Sequence, residues 1–186
     1  ISTPSLPEVL AKAGYTTLLA GRNMHQHPDS KACGYEKQIL GSTYVSEDDY
    51  DKFLKKSAPE TTGIREFVDK IGLTYNYWQA KPWPLADNLH PTEWTVRESL
   101  EMLRQAPTDQ PVFLTASFFS PHPPLFPPKR YFEKYLRQKL PDPACGNWVD
   151  YSAPSPEDLK ENHRVQLKGR ELRKALKTDL PLHERE

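Results

Sequence analysis

Two loops carry the side chains best suited to chemistry, and each follows an apolar run. Val112-Phe113-Leu114-Thr115-Ala116-Ser117 has no glycine or proline and reads as a buried strand. Pro121-His122-Pro123-Pro124 follows and stops it, because proline donates no ladder hydrogen bond. His122 is thereby left at the carboxyl end of a strand, where an imidazole can donate a proton, clamp an anion or ligate a metal. The second run, Tyr15 to Ala20, is terminated by Gly21 and leads into Arg22, Asn23, Met24, His25, Gln26 and His27, with Pro28 closing the loop. Arg22 offers a planar donor fork suited to sulfate, phosphate or carboxylate. Ligands of open α/β sheets bind at the carboxyl ends of the strands. The two loops therefore predict one anion site on which Arg22, His25 and His122 converge. The competing reading makes His122 an incidental surface residue and pairs Arg22 with a nearby carboxylate.

The elements that must position these loops are partly visible. Ser5-Leu6-Pro7-Glu8 is a capping-box pattern, Leu6, Val9, Leu10 and Ala13 follow at helical spacing, and Gly14 ends the helix. Ser46 to Lys56 reads as a polar helix with Ser46 as N-cap and Asp48-Asp49 in its first turn. Thr61 to Ile71 carries the stripe Ile64, Phe67, Val68 and Ile71. Pro91 to Gln105 reads as a helix with Val96, Leu100 and Leu103 as its core stripe and a capping box of Thr95 with Glu98. Lys129 to Gln138 is an amphipathic helix packing Tyr131, Phe132, Tyr135 and Leu136. Weaker strands are expected at 35–40 and 74–79. Tyr75, Tyr77, Trp78 and Trp83 either wall a pocket or pack as a surface strand. Helices alternating with strands predict an α/β fold, a mostly parallel central sheet flanked by helices. Residues 1–140 are read as part of one catalytic domain, and 141–186 as its Pro-rich connector and charged helical tail from Ser155 to Lys177.

Composition narrows the class. The formal charge is zero and basic runs with interleaved aromatics are missing, which argues against nucleic-acid binding. No apolar run approaches the roughly 20 residues that span a bilayer. Nineteen prolines in 186 residues, with 37% apolar residues, make a lean core for so few strands. A sheet of two convincing strands leaves its edges open, so other segments are expected to complete it.

Four ordered blocks resemble the sulfatase family of the alkaline-phosphatase superfamily. They are Ser5 to Thr17 running into Gly21-Arg22-Asn23-Met24-His25, then Cys33-Gly34-Tyr35-Glu36, then His90-Pro91-Thr92-Glu93-Trp94-Thr95, and finally Ser117 to Pro124. The resemblance implies an alkaline-phosphatase-like sandwich and hydrolysis of sulfate monoesters by a formylglycine nucleophile and a divalent metal, calcium or magnesium. It implies that Arg22 clamps sulfate oxygens, that His122 binds the sulfate or protonates the leaving group, and that His25 orients the formylglycine hydrate or takes its proton. His90 is placed as a further substrate contact. Arg22 stands where the family usually has lysine, and two residues rather than one separate it from His25, which leaves His27 as an alternative. Pro28, which holds His27 extended, favours His25.

The family's Cys/Ser-x-Pro/Ala-x-Arg segment is not present around Cys33, Cys145 or any serine, and no aspartate pair follows a buried strand. The chain is thus read as an internal piece of such an enzyme, inactive alone, with nucleophile and metal ligands in the remaining segments of the same polypeptide. Phosphonate monoester or phosphodiester hydrolysis on the same fold is the second reading, and a non-catalytic anion-binding module the third.

Overall fold

The computed structural model describes residues 3–23, 32–75 and 79–141. His25, His27, Tyr77, Trp78, Cys145 and the tail from Ser155 lie outside the described residues.

Helix α1 (Leu6–Lys12) begins as its sequence requires: Glu8 N–H donates to Ser5 Oγ at 3.3 Å and Ser5 N–H donates to Glu8 Oε2 at 2.7 Å. The chain then enters β1 (Thr16–Gly21), every residue of which is buried. β1 is the middle strand of a parallel sheet, between β2 (Lys37–Leu40) and β3 (Val112–Ser117). Central parallel strands are covered on both faces, which is why Thr16 to Ala20 reads as an unbroken apolar and β-branched run. With helices packed on this sheet, the chain is an α/β protein.

Among the described residues, α2 (Asp49–Ser57), α3 (Ile64–Lys70), α4 (Pro91–Gln105) and α5 (Lys129–Leu136) complete the α-helices. Helix α4 lies on β1 and β3, with Met102 packed against Leu18 and Ala20. Its buried face is Pro91, Trp94, Thr95, Ser99 and Met102, whereas the expected stripe of Val96, Leu100 and Leu103 is 39–46% exposed. Thr95 Oγ1 donates to Pro91 O at 3.0 Å and Ser99 Oγ to Thr95 O at 2.7 Å, so both hydroxyls are buried without orphan donors. The helix is capped by His90 rather than by Thr95, with Thr92 N–H donating to His90 Nδ1.

A second core joins α2 and α3 to later segments through Tyr50, Leu54, Ile64, Phe67, Val68, Trp83, Trp94 and Phe126. The N-cap of α2 is Asp48, not Ser46, because the Asp48 carboxylate accepts from Asp51 N–H at 2.8 Å. The described residues of 74–79 form no strand. Instead Ala80 and Trp83 bridge in parallel to Leu125 and Pro128. Helix α5 leaves Tyr131, Tyr135 and Leu136 exposed, so the packing expected of them is not made among the described residues.

Asp51 knots α2 to α3. Its buried carboxylate accepts from Glu47 N–H at 2.9 Å and Ile64 N–H at 2.7 Å, and pairs with Lys55 at 3.0 Å. Burial pushes this carboxyl up, but the two N–H groups and the Lys55 ammonium outweigh it and hold the pKa below the usual value. The unfolded chain therefore binds this proton more readily. The stabilisation is present above about pH 4 and is lost as pH falls through the lower folded-state value. Asp51→Asn should cost about 2 kcal/mol at pH 7 and weaken the loss of stability on acidification. Urea denaturation of the whole protein at pH 7 and in acid checks both.

Gly21 ends β1 at φ +101°, and a Cβ there would stand 2.0 Å from Ser117 O and 3.1 Å from Thr95 Cγ2. Gly21→Ala meets both a left-handed backbone and a rigid carbonyl, so a loss of about 3 kcal/mol is expected in the same denaturation measurement.

Candidate functional site

The register of the sheet brings the two loops together. Gly21 lies opposite Ser117 in parallel strands, so both chains leave the sheet at one edge. Arg22 N–H donates to Ser117 O at 3.0 Å, tying the first loop to the end of β3. Beyond β3, His122 N–H donates to Phe119 O at 3.1 Å, in a turn whose Ser120–Pro121 and Pro123–Pro124 bonds are cis.

The side chains form one contiguous cluster, in which the Tyr44 and Phe119 rings also touch each other, with centres 5.6 Å apart. The Arg22 guanidinium carbon lies 4.9 Å from the ring centres of both Tyr44 and Phe119. Such contacts are worth about 0.5–1 kcal/mol each at exposed sites, enough to hold the guanidinium in one place. Arg22 Nη2 donates to Tyr44 Oη at 3.2 Å. The Phe119 ring in turn meets the His122 ring, with centres 5.0 Å apart. Arg22 forms no ion pair among the described residues, so the carboxylate pairing considered for it is not made there. Its buried Nε has no acceptor among them either. A buried donor left unpaired costs about 1–3 kcal/mol, which an oxygen of a bound anion would relieve.

His122 is exposed, and its Nδ1 lies 2.7 Å from Pro123 O. A carbonyl only accepts, so Nδ1 carries the proton and donates. Nε2 is then the atom left for a ligand, an acceptor in the neutral ring and a donor in the imidazolium.

An open cleft of about 430 Å³ is lined by Arg22, Tyr44, Arg65, Tyr75, Phe119 and His122. Arg22 and His122 thus share one cleft at the carboxyl edge of the sheet. His25 and its alternative His27 lie outside the described residues. His90 is not among the lining side chains. It is buried against Trp83 and Phe126, with Nδ1 accepting from Thr92 N–H and Nε2 donating to Phe126 O at 3.2 Å. Burial moves its pKa down and keeps the ring neutral, as the cap requires. The placement of His90 as a substrate contact does not agree with this position.

Of the aromatic stretch, Tyr75 lines the cleft and Trp83 is in the core. Tyr44, Arg65 and Phe119 line the cleft without being among the site residues that the sequence predicts. Phe119 stands three residues before His122 and could have been found from that spacing. Tyr44 and Arg65 reach the cleft only through the tertiary fold and give no local signal. Among the described residues, no three His, Cys, Asp or Glu side chains cluster in a way that could hold a metal ion.

A parallel sheet with helices packed on it, and with Arg22 and His122 on the loops at its carboxyl edge, makes the chain an α/β protein. The Sulfatase family profile matches residues 1–174, and the chain belongs to the sulfatase family. It is 37% identical over 155 residues to a protein named arylsulfatase from Clostridium perfringens (strain 13 / Type A), an alignment that covers 75% of this chain. The chain spans 31% of that relative's length.

Proposed function

We propose that this chain is part of a hydrolase of sulfate monoesters. The observation that carries the reading is the meeting of Arg22 and His122 in one cleft at the sheet edge of a sulfatase-family chain. A sulfate monoester must lose its alkoxide or aryloxide, and charge builds on the leaving oxygen as the S–O bond breaks. Arg22 supplies fixed donors that hold the non-bridging oxygens and offset the charge they carry. His122, protonated at Nε2, hands a proton to the leaving oxygen. His25 is assigned to orienting the formylglycine hydrate or accepting its proton.

The formylglycine nucleophile and a divalent metal, calcium or magnesium, belong in this reading to segments outside this chain. The described residues do not fit a metal, so none of their roles is routed through one. When bound, the metal supplies further positive charge at the sulfate. The 186-residue chain alone is expected to be inactive.

Paired assays of the whole protein on para-nitrophenyl sulfate and bis(para-nitrophenyl) phosphate test the reading. Sulfate-ester turnover by the whole protein, and none by the isolated chain, is expected. Faster turnover of the phosphodiester would move the assignment to phosphoester hydrolysis. Turnover of neither would leave an anion-binding module.

A further inference from the structure

We infer that Arg65 and Tyr75 form an outer anion subsite, so that the favoured substrate carries a second acidic group on the scaffold bearing the scissile sulfate. The inference rests on the sulfate-ester reading and deepens it. The six side chains lining the cleft include two guanidiniums, Arg22 and Arg65, and no carboxylate. A sulfate monoester has one negative charge, which Arg22 suffices to match. Arg65 is then a second permanent charge with no work at the scissile group. It is exposed near the start of α3 and makes no ion pair among the described residues. Arginine carries its charge at all physiological pH values and presents a two-point fork for sulfate or carboxylate.

The walls suit such a substrate. Tyr75 is half-buried, and its hydroxyl donates to Thr43 O, which fixes the ring as a rigid face. Tyr44, held by its contacts with Arg22 and Phe119, supplies another. Rigid aromatic faces take up a flat or ring-shaped scaffold at small entropic cost. Two guanidiniums and no carboxylate line the cleft, which draws anions toward it against the opposing field of Asp69, Glu66 and Asp51, whose carboxylates act on Tyr75.

Titration calorimetry of the whole protein with benzenesulfonate and meta-benzenedisulfonate tests this without requiring turnover. The disulfonate is expected to bind about 10-fold more tightly, equivalent to about 1.4 kcal/mol. Arg65→Gln should collapse that preference, and Arg65→Lys should retain part of it. Equal affinities for the two sulfonates, no binding of either, or a preference that survives Arg65→Gln would overturn the subsite. An Arg65-dependent preference in a protein that cleaves no sulfate ester would uphold the subsite and remove the sulfatase reading. Sulfate-ester cleavage without the preference would do the reverse.

Discussion

Replacing His122 with alanine in the whole enzyme should lower kcat by about 10²–10⁴-fold, the usual scale for a lost acid–base group. The geometry gives the expectation its detail. Nδ1–H is engaged by Pro123 O, so only Nε2 can serve the leaving oxygen. A proton delivered there matters most when the leaving group is a poor one. The loss should therefore be large for phenyl or alkyl sulfates and much smaller for para-nitrophenyl sulfate, whose leaving oxygen needs little protonation. His122 is exposed and outside both hydrophobic cores, so the unfolding midpoint should move little. Equal losses across the leaving-group series would assign His122 to binding the sulfate instead. Wild-type kcat in the alanine variant would show that the ring is only a surface neighbour of Phe119.

The route from sequence to this site was legible where local rules act alone. The Ser5–Glu8 cap, the unbroken runs of β1 and β3 and the proline stop after β3 depend on residues within a few positions of one another. From these the α/β class and the shared edge of Arg22 and His122 follow. Helix α4 departs from the predicted stripe for a physical reason. Hydrophobicity selects Val96, Leu100 and Leu103, but the buried face carries Ser99 and Thr95, the latter in close approach to Gly21. Small side chains with internally satisfied hydroxyls pack where larger ones would hold the helix away from the sheet. His90 also differs from its predicted place, since an imidazole at a helix start serves equally as a cap or as a ligand contact. Only the Trp83 and Phe126 rings around it decide between the two. Tyr44 and Arg65 come from opposite sides of α2 in sequence, and their meeting in the cleft is set by how the second core packs α2 against α3.

Arg22→Ala should reduce kcat/KM by about 10²–10⁴-fold, because two charge-assisted hydrogen bonds of about 1.5–3 kcal/mol each are withdrawn from the sulfate oxygens. Arg22→Lys separates charge from shape. The sulfatase pattern that this loop resembles usually has lysine here, so the charge alone should preserve most of the function, with a loss of about 10-fold for the missing second donor. The structure adds a cost that lysine cannot avoid. The guanidinium packs against the touching rings of Tyr44 and Phe119, 4.9 Å from each ring centre, and an ammonium stacks there less well. Phe119 also carries the His122 ring, so removing the guanidinium also weakens the support of His122. Arg22→Ala is accordingly expected to lower kcat as well as raise KM, and to lower it more for phenyl and alkyl sulfates than for para-nitrophenyl sulfate, as a loosened His122 would. Steady-state kinetics of the two variants across that leaving-group series is the measurement. If Arg22→Ala leaves kcat/KM within about twofold of wild type, a change of under 0.5 kcal/mol, then the guanidinium only packs against two rings and is not an anion clamp.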